Sequence, residues 1–136
     1  MILTRIGFAA SLAVSAAIHA YLYIHGYQHI PSIGTGFLVQ ASVSFALAAL
    51  ILVGGPGWLL WAAAGLAGGS LVAFVLSRTT GFAGFSEHGW DPSPYAVISV
   101  AAEALTVLLW AAAVAPRSRL RRVAGPAAES RRASHV

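Results

Sequence analysis

Four long apolar runs, separated by short polar connections, organise the chain. A helix needs about 20 mostly apolar residues to cross a bilayer, and runs at about 6–27, 33–53, 57–77 and 94–115 meet that length. The longest polar interruption is 77–94, SRTTGFAGFSEHGWDPSP, which holds Arg78, Glu87, His88 and Asp91. Gly54-Gly55-Pro56-Gly57 predicts a tight reversal between the second and third runs, because proline ends a helix and glycine permits the turn. Pro31 biases Ile30 out of helix and closes the first connection. The first run also has features of a secretory leader, with Arg5 ahead of it and Val14-Ser15-Ala16 as a small-residue site. It continues apolar through Ile24 and contains His19, so it is expected to stay as a span. The pattern predicts an all-α membrane protein, a four-transmembrane-helix bundle over 1–115 followed by a basic, disordered tail at 116–136.

Polar positions inside the runs recur at helical spacing. Ser11, Ser15, His19 and Tyr23 follow four-residue steps on the first, and Gly36, Gln40 and Ser44 do so on the second. Ser99, Glu103, Thr106 and Trp110 share a face of the fourth, while the third carries Gly65-x-x-x-Gly69 and Ala64-x-x-x-Gly68, small residues suited to close helix approach. His19, Gln40 and Glu103 lie at a common depth, about six to nine residues from the helix ends, or ~10–14 Å along the axis. A lone charge there costs ~2.5–3.5 kcal/mol even on insertion scales. The three are therefore expected to form one buried cluster, serving either as a structural network or as a site for a proton, cation or ligand.

Composition reinforces the class. Hydrophobic residues make up 58% of 136 positions and charged ones 9%, outside the soluble range, and the runs leave no room for a separate soluble catalytic domain. Cysteine is absent, which excludes disulfides, thiolate chemistry and iron–sulfur clusters. No phosphate loop, nucleophile motif or HExxH metal site occurs, so the expectation is a protein that is not an enzyme.

The net charge of +4 comes from arginine alone. Arg117, Arg119, Arg121 and Arg122 directly follow the fourth run, where topology and anionic lipid explain them better than nucleic acid does. An even number of spans puts Arg5 on the same side. The expected location is the cell (plasma) membrane, multi-pass, with both termini cytoplasmic and the first and third connections facing outward.

Those connections hold His25, His29, Glu87, His88 and Asp91, which could supply nitrogen and oxygen ligands to a divalent metal. A bis-histidine haem would need His19 plus one of the rim histidines. Neither cofactor is required by the pattern. Tyr21, Tyr23, Tyr27, Phe85, Trp90 and Tyr95 at one interface, with Trp58 and Trp61 at the other, fit an aromatic belt.

The segments GYQHIPSIGTGFLVQA and VLSRTTGFAGFSEHGWDP, with the alanine-rich, arginine-only composition, resemble an uncharacterised family of small four-span integral membrane proteins from high-GC actinobacteria. The resemblance implies membrane location and the four-span fold, and no activity. The functional expectation is a non-enzymatic accessory or structural subunit with a buried His/Gln/Glu cluster, partnered by the bilayer and by another membrane protein or a second copy. The alternative is an ion-, metal- or haem-handling protein using His19 and Glu103 or the rim histidines.

Overall fold

The computed structural model describes the backbone of residues 1–133 and the side chains of 1–114. It contains four α-helices: α1 (Ile2–Ile24), α2 (Ile33–Leu52), α3 (Trp58–Thr79) and α4 (Tyr95–Ala133), with a 3-10 turn at Tyr27–His29 between α1 and α2. All four are long and apolar enough to cross a membrane, the qualifying part of α4 being Tyr95–Val114. Large apolar side chains point outward from the bundle, among them Phe45 on α2, Val72 and Val75 on α3, and Leu105 and Leu108 on α4. That arrangement suits an apolar surround. The backbone of α4 runs on past the fourth span into the basic segment. The expected tail, with Arg117, Arg119, Arg121 and Arg122, concerns side chains outside the described residues.

Local chemistry sets the helix ends. The His25 amide donates to Tyr21 O, so α1 closes at Ile24, three residues before the apolar run ends at Tyr27. Between α2 and α3, Gly54 adopts φ +95°, which glycine accepts without strain, and the Gly55 amide returns to Leu50 O at 2.9 Å. At the other end Gly34 lets α2 start directly against the 3-10 turn; a Cβ there would lie 2.5 Å from Tyr27 O.

α1 packs most extensively on α2 and then on α4, and α3 leans on α4 with lighter contact to α2. The result is a bundle that is solid at one end and hollow at the other. At the solid end Phe8 and Leu12 of α1, Leu47 and Ile51 of α2, and Leu59 and Ala63 of α3 form the buried core, with Leu109 and Trp110 of α4 against them. Arg5 closes this end, its Nη1 donating to Ile51 O at 3.0 Å and Gly55 O at 3.2 Å, where a cation meets the carbonyl end of α2. The polar faces read from the sequence do turn inward: Ser11, Ser15, His19, Gln40, Ser44, Ser99, Glu103 and Thr106 are all buried. Ser11 and Thr106 close a hydroxyl pair at 2.8 Å between α1 and α4.

Candidate functional site

Above that hydroxyl pair, towards the loop-side end, the bundle opens into a cavity of about 370 Å3 bounded by all four helices. Its polar floor is Glu103, only 2% exposed. One carboxylate oxygen, Oε1, accepts three hydroxyl hydrogen bonds: from Ser15 of α1 at 3.1 Å, Ser70 of α3 at 2.8 Å and Ser99 of α4 at 3.1 Å. Three helices are thus tied to one atom. No hydrogen bond among the described residues reaches the second oxygen, Oε2, and the residue lines the cavity; the fully enclosed polar atoms without a partner are Ser44 Oγ and Trp110 Nε1.

His19 stands beside this carboxylate. Its Nδ1 lies 2.9 Å from the Ser15 carbonyl, a contact that places the proton on Nδ1 as donor and turns Nε2 towards Glu103. The Nε2–Oε1 separation is 3.8 Å, too long for a hydrogen bond. Phe37 of α2 packs against the imidazole with ring centroids 4.9 Å apart. Gln40 is buried and lines the same cavity, yet its amide bonds to neither His19 nor Glu103 and has no partner among the described residues. The sequence-predicted trio is therefore a contacting His19–Glu103 pair plus Gln40 on the shared wall.

The third span enters differently from its small-residue pattern. Gly65 and Gly69 do not bring α3 close to a neighbour; a Cβ at either would meet nothing within 4 Å, as would one at Gly68. Gly65 and Gly69 line the cavity. The physical reason is the light α2–α3 contact: the volume that larger side chains would fill stays open along this seam. Ser70, next to Gly69, was not singled out from the sequence. Its signal was the only hydroxyl within the middle of the third apolar run.

A polar clasp spans the cavity mouth. Arg78, at the end of α3, pairs through Nη1 with Glu87 Oε2 at 2.8 Å, donates from Nε to Gly89 O at 2.9 Å and from Nη2 to Asp91 O, and lies over the Phe74 ring at 4.3 Å. The other Glu87 oxygen accepts from the Tyr27 hydroxyl. Burial first, then the hydrogen bond and negative charge of Glu87, push the Tyr27 phenol well above its ordinary pKa of 10.0. Tyr27 also stacks on Phe37 at 4.6 Å, so a residue read as part of an interfacial belt joins the two connections to the cavity wall.

The rim metal group is not assembled. Among the described residues no three His, Cys, Asp or Glu side chains gather where they could hold a metal ion. His25, His29, His88 and Asp91 are exposed, His25 Nδ1 is engaged with Tyr21 O at 2.8 Å, and Glu87 is committed to Arg78 and Tyr27. Gly26 and the 3-10 turn break the helical register that would have put His25 and His29 on one face.

No protein-family model matches the chain, and neither a search of curated proteins nor one of solved structures finds a match.

Proposed function

We propose that this is a small, non-enzymatic, multi-pass protein of the cell membrane that works by receiving a small lipid-soluble molecule in the loop-side cavity. The observation that carries the reading is the cavity itself. At about 370 Å3 it falls in the size range of small-molecule sites, and like them it combines largely apolar walls with a few convergent polar groups, here Glu103, His19 and Gln40. A purely structural or accessory role accounts for the solid end of the bundle. It does not require a hollow whose floor is a buried carboxylate.

Filling the hollow tests this. Gly69→Leu places a side chain into space that is open on the cavity side and leaves the polar floor intact. The expected result is a small molecule extracted from the wild-type protein, purified in mild detergent, at near-stoichiometric amount by mass spectrometry, and its loss from the variant. Extracts of identical composition would refute the reading, and a tightly co-purifying chain with no small molecule would favour the accessory role. The arginine-rich segment after the fourth span supports cytoplasmic termini. Cysteines introduced at Ser86 and Ser130 should then label from opposite sides with an impermeant thiol reagent; labelling from one side would overturn that topology.

A further inference from the structure

We infer that the molecule received is a lipophilic organic cation with N–H donors, a protonated amine, whose ammonium sits between Glu103 Oε2 and the Gln40 amide. This rests on the cavity reading above and names the chemistry of its occupant.

The charge balance of the site leads there. Oε1 of Glu103 is filled by three hydroxyl donors, which hold the carboxylate as an acceptor. Oε2 receives no donor, in a residue that lines the hollow and is only 2% exposed. The neighbouring basic side chains do not reach it. His19 approaches the other oxygen, and only to 3.8 Å. Arg78 is at the mouth, engaged by Glu87 and by the Gly89 and Asp91 carbonyls. The Gln40 amide is the second unpartnered polar group on the same wall, and its carbonyl oxygen can accept from the same donor.

The donor set also separates classes of cation. A bare metal ion takes four to eight ligands, and no group of three His, Cys, Asp or Glu side chains that could hold one exists among the described residues. An ammonium brings three N–H donors of its own and needs only two or three acceptors in hydrogen-bond range. An anion would face Oε2 directly. The rest of the occupant is set by the walls: Leu22, Phe37, Leu66 and Phe74 are apolar, and aromatic faces attract an adjacent cation as well as a hydrocarbon body.

The test uses the full chain in lipid nanodiscs with three probes of one skeleton: 4-phenylbutylamine, 4-phenylbutanol and 4-phenylbutyrate. Binding is measured by equilibrium titration against empty nanodiscs, which corrects for partition into lipid. The amine should bind at least about tenfold more tightly than the alcohol, the margin of one charge-assisted contact, and the carboxylate should bind least. Glu103→Gln keeps the shape and the serine contacts; it should bring the amine down to the alcohol's affinity while leaving the alcohol within about threefold. If Glu103→Gln does not fold, Gln40→Leu serves, and should weaken the amine more than the alcohol. Amine and alcohol binding equally, with both lost in Gly69→Leu, would overturn the amine assignment and leave the cavity reading standing. No specific binding of any probe, or equal binding by the wild type and Gly69→Leu, would remove both.

Discussion

Replacing Glu103 with leucine removes the one acceptor shared by three helices and should destabilise the bundle by roughly 2–4 kcal/mol. The figure is built from contacts. Ser15 and Ser70 reach Oε1 from α1 and α3, at 3.1 and 2.8 Å. Interhelical hydrogen bonds in membrane proteins average about 0.6 kcal/mol and reach about 1.7. A charged acceptor roughly doubles such a bond. Ser99 donates along its own helix and can turn instead to a carbonyl one turn back, so it adds little. His19 loses a negative neighbour at 3.8 Å. Glu103→Gln retains an oxygen for the serines and should cost about 1 kcal/mol or less.

Reversible unfolding in mixed micelles by titration with a denaturing detergent reads both variants. The double variant with His19→Leu adds the decisive term. Once the histidine is gone, the loss from Glu103→Leu should shrink by about 0.5–1 kcal/mol, because the partners are removed together. Strictly additive losses would show that the two side chains do not interact. A loss below about 0.5 kcal/mol for Glu103→Leu, the range of an ordinary surface substitution, would refute its role as the shared acceptor.

Tyr27 gives a pH test. Its phenol is held protonated by burial and by Glu87, whereas an unfolded chain's tyrosine ionises near pH 10. The contribution is therefore fully present below about pH 10 and lost as the pH rises further. Tyr27→Phe should flatten the alkaline fall in stability; an equally steep fall in the variant would show that Tyr27 does not carry it. Arg5→Ala should cost about 1 kcal/mol, because its guanidinium meets two carbonyls at the end of α2, and unchanged unfolding would restrict Arg5 to a role in topology. Because the rim side chains are not gathered, His25→Ala, His29→Ala and His88→Ala should each match the wild type in metal content by elemental analysis after chelation and re-addition. Loss of metal in any one would restore the rim site.

The spans were readable because each apolar run is near bilayer length and is bounded by Pro, Gly or a polar cluster. The inward faces were readable because Ser11, Ser15 and His19, or Ser99, Glu103 and Thr106, fall on one side of a helix at three- and four-residue steps, and all of them are buried. What periodicity does not encode is how closely two helices approach. Gly65 and Gly69 fit a tight contact and an open seam equally well, and the structure has the seam. Gln40 shows the same limit: depth and face placed it at the right wall, while its lack of a bond to Glu103 depends on helix separation. Tyr27 was hidden for another reason. An aromatic at a span end looks the same in sequence whether it anchors at an interface or, as here, hydrogen-bonds a carboxylate sixty positions away.

The contrast between the two ends of the bundle argues for an occupant better than either end does alone. At the solid end the Ser11–Thr106 pair satisfies itself across α1 and α4, as a purely structural polar contact should. At the hollow end the same two helices carry His19 and Glu103, and no hydrogen bond among the described residues reaches Glu103 Oε2 or the Gln40 amide, both residues lining the cavity; the fully enclosed polar atoms without a partner, Ser44 Oγ and Trp110 Nε1, lie elsewhere. Two penalties coincide in that space. Wall atoms around a hollow have fewer protein neighbours than a filled core gives, and the polar groups there find no donor within the bundle. Larger side chains at positions 65 and 69 would relieve only the first, since the open space there accepts a Cβ without a clash. Replacing Glu103 with an apolar residue would relieve only the second and would release Ser15 and Ser70. The proposed occupant, a single molecule with an apolar body and a hydrogen-bonding head, would relieve both at once, and under that proposal glycine on the wall and glutamate on the floor act together.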